Sequence, residues 1–498
     1  MSEWISSVSR RPNLAAFLWA VGAFAAGTAL AVWGGSRTVL IALAGSLAYA
    51  GFALVSVRKP LLFVVVFLFS LEILPPFFFS GLGDTPVYFP LVVLPVALLI
   101  LLFRFPDIQF TFDPLALGLA AFLGGTVLSL PFAFSISGIH SALEGISRWL
   151  LLGLTAPVYF LVRGCSSYKQ TSSERWLIRF LLAGAVLSAG FGILDFVWPM
   201  PFAHPAADQF IWLGTKVLRR AQGVFYESSN FANFCGFFLV LVAAAFLARK
   251  ERCLATPRWL LIFLMPVFSL AVLVSFSRST WAAVGVALLL FAWRSGYVKP
   301  RRAFVLSLAV GIPLLLVWKS SPDLWNYFLQ ARLGRLTEIL ADPNTATSGR
   351  FDTWLRVLSI ISDNPLHLWF GVGYKTLPST RLFHGQIITD NGYLNLLLET
   401  GLTGLGGFLI FSAAILKTFS RLARVRDDEL AYWSNVMFSI WCGELVQLLA
   451  VDAYTFWRNI LVMIAVMGLA LNRAERLERS LPPNRAGASG VSLGETSL

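Results

Sequence analysis

Residues 230–248 read NFANFCGFFLVLVAAAFLA, an unbroken run without a charged side chain. As a helix rising 1.5 Å per residue it is long enough to cross a hydrocarbon layer of about 30 Å. Arg249, Lys250 and Arg252 follow at once. Such cations are costly in lipid and collect in cytoplasmic loops. The run therefore reads as a membrane span that ends at the cytoplasm.

The same pattern recurs along the 498-residue chain. Apolar cores of span length are expected near 13–33, 38–57, 61–79, 88–103, 114–133, 143–162, 176–198, 259–276, 280–297, 303–319, 392–416, 430–450 and 456–472. The fold class expected is an all-α polytopic membrane protein, with about 12–14 transmembrane helices and a large outer loop containing a surface helix. Composition agrees: 57% of residues are hydrophobic and 13% charged, with 43 Phe and 17 Trp, where soluble domains run near 25% charged. The net charge of +13 reads as cytoplasmic loops facing anionic lipid, not as a nucleic-acid surface. Arg10 and Arg11 precede the first apolar run, which is long enough to stay as an anchor rather than be cleaved. The four cysteines lack metal-type spacing, so neither a disulfide nor a metal is expected.

Threading the spans alternately places the loops with Arg58 and Lys59, Arg163 to Arg175, Arg249 to Arg258, Lys299 to Arg302, and Arg421 to Arg426 on one side, together with both termini. That side is assigned to the cytoplasm. The opposite side receives segments 199–229 and 320–391 and all four histidines, His140, His204, His367 and His384. The expected organisation is an N-terminal bundle at 1–198, a region carrying the chemistry at 199–410 that includes loop 320–391, C-terminal spans at 411–472, and a disordered cytoplasmic tail at 473–498.

Outer arginines run against the charge rule and are the candidates for function. Arg278 sits in SFSRST between two apolar runs, where an isolated charge costs a few kcal/mol. Its plainer role is to reach the outer headgroups; the functional role is to hold an anion. Arg219 and Arg220 open RRAQGVFYESSN, in which Gly223 suits a tight turn and Asn230 suits a helix cap. Guanidinium forks bind phosphate oxygens in pairs, so several together suit a diphosphate.

Further on, Phe351, Trp354, Leu355, Val357, Leu358 and Ile361 mark an amphipathic helix along the membrane surface, ended by Asp363, Asn364 and Pro365. Arg350 at its start opposes the helix dipole. Asp390 and Asn391 stand at the mouth of the next span. Asp390 is a natural N-cap there, and Asp390 or His384 beside arginines is a candidate proton acceptor. Gly401, Gly404, Gly406 and Gly407 imply close helix packing, and Glu144 and Arg148 have pairing spacing.

Taken in order, SGRxxxW from Ser348, PxxxxFGVGY from Pro365 and DNGYLNLLLETGLTG from Asp390 resemble the O-antigen ligase/polymerase family of bacterial envelope-glycan enzymes. Arg220-Ala221-Gln222-Gly223-x-Phe225 and Ser277-Arg278-Ser279 are similar to that family's arginine motifs. The resemblance spans about residues 215–410. It implies a metal-independent, inverting glycosyltransferase of the bacterial inner membrane, without a cofactor. Its donor would be an undecaprenyl-diphosphate-linked oligosaccharide used at the periplasmic face, and its partners a glycan acceptor, membrane lipids and other polysaccharide-assembly proteins, with no nucleic acid.

By the same resemblance Arg220, Arg278 and Arg350 would engage the diphosphate, supported by Arg219, Gly223, Asn230 and Asn391, and Asp390 or His384 would act on the acceptor. The ligase branch carries His before the Asn of its H-N-x-x-L motif, where this chain has Asp390 before Asn391. That favours polymerisation of O-antigen, capsule or exopolysaccharide units over transfer to lipid A-core or to protein. A lipid or glycan transporter, the rival of another class, would show duplicated halves and helices broken at mid-membrane. Here the polar residues gather towards one face.

Overall fold

The structure is a computed structural model that describes residues 36–75, 89–103, 108, 110–164, 171–200, 208–213, 216–296, 301–302, 308, 311, 319, 350–377, 380 and 389–480. The spans expected at 13–33 and 303–319, most of loop 320–391, His204, His384 and the tail from 481 lie outside the described residues. The described chain is all-α apart from one small hairpin. Its helices are α1 (Ser36–Arg58), α2 (Pro60–Ile73), α3 (Phe89–Phe103), α4 (Pro114–Val127), α5 (Leu130–Ser137), α6 (Ile139–Gly153), α7 (Thr155–Gly164) and α8 (Thr171–Val197). After strands β1 (Phe210–Leu213) and β2 (Lys216–Arg219) come α9 (Ser228–Ala248), α10 (Arg258–Val274), α11 (Arg278–Ser295), α12 (Arg350–Asp363), α13 (Pro365–Phe370), α14 (Gly392–Leu422), α15 (Asp428–Gln447) and α16 (Trp457–Ser480).

Among the described residues, five helical stretches are long and apolar enough to cross a membrane: α4 with α5, α6 with α7, α8, α9 and α14. Shorter apolar helices fall within α1, α2, α3 and α10. The chain is a multi-pass, all-α membrane protein. Helix α9 sits at its centre, with every residue from Phe231 to Ala248 buried, as befits a helix apolar on all sides.

The bundle has two chemically different ends. At one, Arg163 bonds Asp113, Asn472 and Glu475, Arg476 pairs with Glu174, Arg473 with Asp427 and Glu429, and Lys250 with Asp428. These are the predicted basic loops, gathered on one side. At the other end the starts of α9, α11, α14 and α16 meet the ends of α8, α10 and α15. Asn459 Nδ2 donates to the Asn230 carbonyl at 3.1 Å, Gly392 N–H to the Leu448 carbonyl at 2.7 Å, and Ala221 N–H to the Val274 carbonyl at 3.0 Å. Arg458, buried between them, donates to the carbonyls of Leu71 and Val224, a structural use of an intramembrane cation.

Helices α4 and α14 approach closely because they meet at small residues. A Cβ at Gly407 would lie 2.4 Å from the Ala121 oxygen, and one at Gly125 2.3 Å from the Thr403 oxygen. Gly401 packs closely as expected, a Cβ there lying 2.3 Å from the Trp369 carbonyl carbon, and it also breaks the helix. Its φ of 65° and ψ of −166° break α14 into two helices across a kink. The break releases the Leu398 and Glu399 carbonyls from the helical ladder, and the N–H groups of Val372 and Gly373 take them at 3.0 and 2.9 Å. Thus the GVGY turn after α13 is stitched into the kink. Gly406 meets open space.

Candidate active site at one end of the bundle

The hairpin that precedes α9 is short and antiparallel, with Phe210 opposite Arg219. Arg219 is held on both sides. Its Nη2 lies 3.1 Å from an Asp195 carboxylate oxygen at the end of α8, and its Nε 2.9 Å from Asp208. The next residue, Arg220, turns the other way and donates from Nε to the Ser275 carbonyl at 2.8 Å. Ser275 ends α10, and Phe276, with φ of 55°, forms a sharp break before α11 begins at Arg278. Arg220 is therefore seated on the turn that presents Arg278. Burial lowers the Arg220 pKa, and the Glu227 carboxylate opposes that shift. Gly223 takes the turn conformation expected of it, with φ of 58° against Phe231 and Gly192.

Asn230 is not the cap of α9. The helix starts at Ser228 with Glu227 in the cap position. It begins earlier because Gln209 Oε1 accepts from both the Ser228 N–H at 3.0 Å and its Oγ at 2.7 Å, fixing the first turn.

Arg350 and Asp390 are brought together from opposite ends of a forty-residue stretch. On α12, Trp354 lies one turn after Arg350, and its indole N–H donates to the Thr389 carbonyl at 2.7 Å. That bond sets the neighbouring Asp390 against Arg350, Nε to Oδ2 at 3.0 Å. Asp390 adopts φ of 46°, a conformation that Asp tolerates better than most residues. The cap of α14 is Asn391, whose Oδ1 accepts from the Tyr393 and Leu394 N–H groups at 3.1 Å. Asp390 is thus released from capping for a charge pair. Burial raises the Asp390 pKa and Asp452 adds to it, although Arg350 pulls it down.

The pair is about one-third exposed on both sides, so its contribution to folding is small. A double-mutant cycle with Arg350→Ala and Asp390→Ala, read by thermal unfolding in detergent, is expected to give a coupling of about 1 kcal/mol or less. A coupling several times larger would make the pair a structural fastener instead of a site element.

Helix α12 docks by one face. Val357 and Ile361 pack with Val372, Leu377 and Leu398, while Phe351, Leu355 and Leu358 face outward. It ends at Asp363, and Asn364 caps α13. This matches the amphipathic reading, and the outward apolar residues suit a membrane interface.

Two charged residues went unnoticed in the sequence. Lys375 follows the GVGY turn with φ of 55°, and its Nζ lies 2.5 Å from Asp452 Oδ2. Its carbonyl accepts from Arg148 Nη1 at 2.7 Å, and Arg148 in turn pairs with Glu144 as spaced. Burial opposes the charge on Lys375, but Asp452, with Glu399 and Glu227, raises its pKa overall. Burial likewise opposes ionisation of Asp452, yet Lys375 and the Thr455 hydroxyl hold it below the usual carboxylate range. Glu227 is the other. Burial and the charge of Asp452 push its pKa up, against the pull of Lys375, Ser229 and Arg220. Lys375 is one of few lysines on the side opposite the basic loops, and that was the signal that would have found it.

Below this end, within the bundle, lies a cavity of about 20 Å³ lined by Asn233, Thr280, Glu444 and Gln447 among small residues, room for about one water. Asn233 Nδ2 donates to Glu444 at 2.7 Å and to Gln447 Oε1 at 2.8 Å, and Gln447 Nε2 donates to Thr280 at 3.1 Å. It contains none of the arginines and ties α9, α11 and α15 together.

Residues 260–409 match the model of a family described as O-antigen ligase. An O-antigen polymerase of Salmonella muenchen is 21% identical over 269 residues, which make up 52% of this chain and 64% of that protein. The chain thus spans just under two thirds of that relative's length. The matched segment holds Arg278, Arg350, Lys375 and Asp390, and leaves Arg220 and Glu227 in the loop before α9, upstream of it. Over residues 260–409 the chain is thus similar to the family described as O-antigen ligase.

Proposed function

We propose that the protein is a glycosyltransferase of the bacterial inner membrane. It joins glycan units carried on undecaprenyl diphosphate at the periplasmic face, as a polymerase of O-antigen, capsule or exopolysaccharide. The supporting observation is the seating of Arg220 on the turn that opens α11 at Arg278, at the same end as Arg350 with Asp390 and Lys375 with Asp452. Cations collected where lipid meets water match a diphosphate in a headgroup layer. They neutralise the charge that builds on the leaving diphosphate, an effect that grows where water is excluded.

In this reading the donor's sugar is attacked once at its anomeric carbon, with inversion. Arg220, Arg278 and Arg350 hold the diphosphate. Asp390 orients Arg350 and the incoming acceptor hydroxyl, and His384, outside the described residues, shares that loop. Asn391 and Gly223 fix the backbones that present these groups, and Arg219 anchors the hairpin beside them.

Arg278→Ala tests the diphosphate role. Polymer seen on a gel should fall by about 10²-fold at an unchanged protein level by immunoblot. Full-length polymer in normal amount would refute that role. The family description favours a second reading, transfer to lipid A-core; glycan found on lipid A-core instead of on a growing chain would establish it.

A further inference from the structure

The carboxylates around the arginines are not equivalent. Asp195 and Asp208 are bound by Arg219, Glu144 by Arg148, Asp390 by Arg350 and Asp452 by Lys375. Each of these carboxylates already holds a cation, so taking up a proton would break an ion pair. Glu227 differs. It occupies the cap position of α9 yet makes no side-chain cap bond, and its Oε2 accepts from the Ser229 hydroxyl at 3.3 Å. Its backbone is fixed on both sides. Gln222 Nε2 donates to the Tyr226 carbonyl at 2.8 Å, and Gln209 holds Ser228. It is partly exposed, within electrostatic reach of Arg220, Lys375 and Asp452.

We propose that Glu227 is the base of the transfer, taking the proton from the acceptor hydroxyl beside the diphosphate held by Arg220. The inference rests on the glycosyl-transfer reading above. As the acceptor oxygen forms its bond to the donor's anomeric carbon, its O–H proton passes to the Glu227 carboxylate. The bond from that carbon to the diphosphate oxygen breaks, and its electron pair leaves with the diphosphate. Glu227 then loses the proton to water at the membrane surface, so the step needs no further reactant.

The environment fits the role. Where two carboxylates are neighbours and their surroundings push their proton affinities apart, the one with the higher affinity handles the proton. Here Asp452 is kept charged by Lys375, and Glu227, desolvated beside it, is the more basic. Lys375 and Asp452 are positioning residues in this scheme. Asp390 keeps its place as the partner that aims Arg350.

The test uses the full chain in lipid nanodiscs, with undecaprenyl-diphosphate-linked oligosaccharide extracted from the host bacterium as substrate and undecaprenyl diphosphate as binding probe. Glu227→Gln should lower transfer by about 10²-fold or more and leave probe binding within about twofold of wild type. In Glu227→Ala, azide should restore cleavage of the donor, because azide attacks without losing a proton. Wild-type transfer should fall as pH drops through the raised Glu227 range, and that limb should vanish in the Gln variant. Transfer by Glu227→Gln within about threefold of wild type, or loss of probe binding in parallel with transfer, would overturn the assignment. Failure of the wild-type chain to transfer any glycan would instead remove the underlying reading, and the base with it.

Discussion

Replacing Arg220 with Ala should cut glycosyl transfer by about 10²- to 10³-fold while the protein still accumulates and elutes as a single species. The guanidinium has five N–H donors, and the Ser275 carbonyl engages the one on Nε. That bond fixes the plane of the fork against the α10–α11 turn. Losing it costs about 1 kcal/mol of stability, far too little to unfold a bundle of this size. The loss should therefore appear in turnover. Arg220→Lys retains a charge but has no planar fork for two phosphate oxygens, so its activity should fall between Ala and wild type. Transfer rates for the three proteins, corrected for folded amount by size-exclusion chromatography, check this order. Equal rates for Arg and Ala would take Arg220 out of the site.

The second large effect falls on folding. Gly371 and Gly401 meet back to back. A Cβ on Gly371, with φ of 72°, would lie 2.3 Å from the Glu399 carbonyl carbon, and one on Gly401, with φ of 65°, 2.3 Å from that of Trp369. The Gly401 pair of angles belongs to a region that only glycine enters readily, and an L-residue there costs about 1–3 kcal/mol before any clash. The clash is with backbone, which cannot rotate aside. Gly401→Ala and Gly371→Ala should each remove most of the folded protein from membranes, as read by fluorescence-detected size-exclusion chromatography of a tagged chain. Their effect reaches the site because the same turn carries Lys375 and the same kinked helix begins beside Asp390. Normal amounts of monodisperse Gly401→Ala protein would mean that the kink relaxes and does not fix the turn.

What could be read in advance divides along physical lines. Hydropathy and charge are local, so α9, α10 and α14 fell where the apolar runs lay, and the basic loops came together at one end. The surface helix α12 was legible from spacing, down to its end at Asp363, because Asn-Pro is a strong local stop. Contacts across long separations were not legible. Asp390 read equally well as a cap, and only the Trp354 bond to Thr389 shows why Asn391 caps while Asp390 faces Arg350. Asn230 was misplaced because the true start of α9 depends on Gln209, the residue just before the hairpin. Gly401 read as packing, which it does, but its kink was hidden because a glycine kink and a glycine contact look alike in sequence. Glu227 and Lys375 are single charges in loops with no periodic signature, and only the start of α9 and the turn stitched to the kink of α14 fix where they stand.

The central claim is that arginines at this end of the bundle grip a prenyl diphosphate. It is met most directly by titrating undecaprenyl diphosphate, and undecaprenol as its neutral counterpart, into the full-length chain in nanodiscs. The account predicts saturable binding of the diphosphate, weakened about tenfold or more by Arg220→Ala or Arg278→Ala, each losing a bidentate charge-assisted contact. Arg421→Ala, at the opposite end of α14, should leave it unchanged. Equal binding of the diphosphate and the alcohol, or binding indifferent to Arg220 and Arg278, would contradict it.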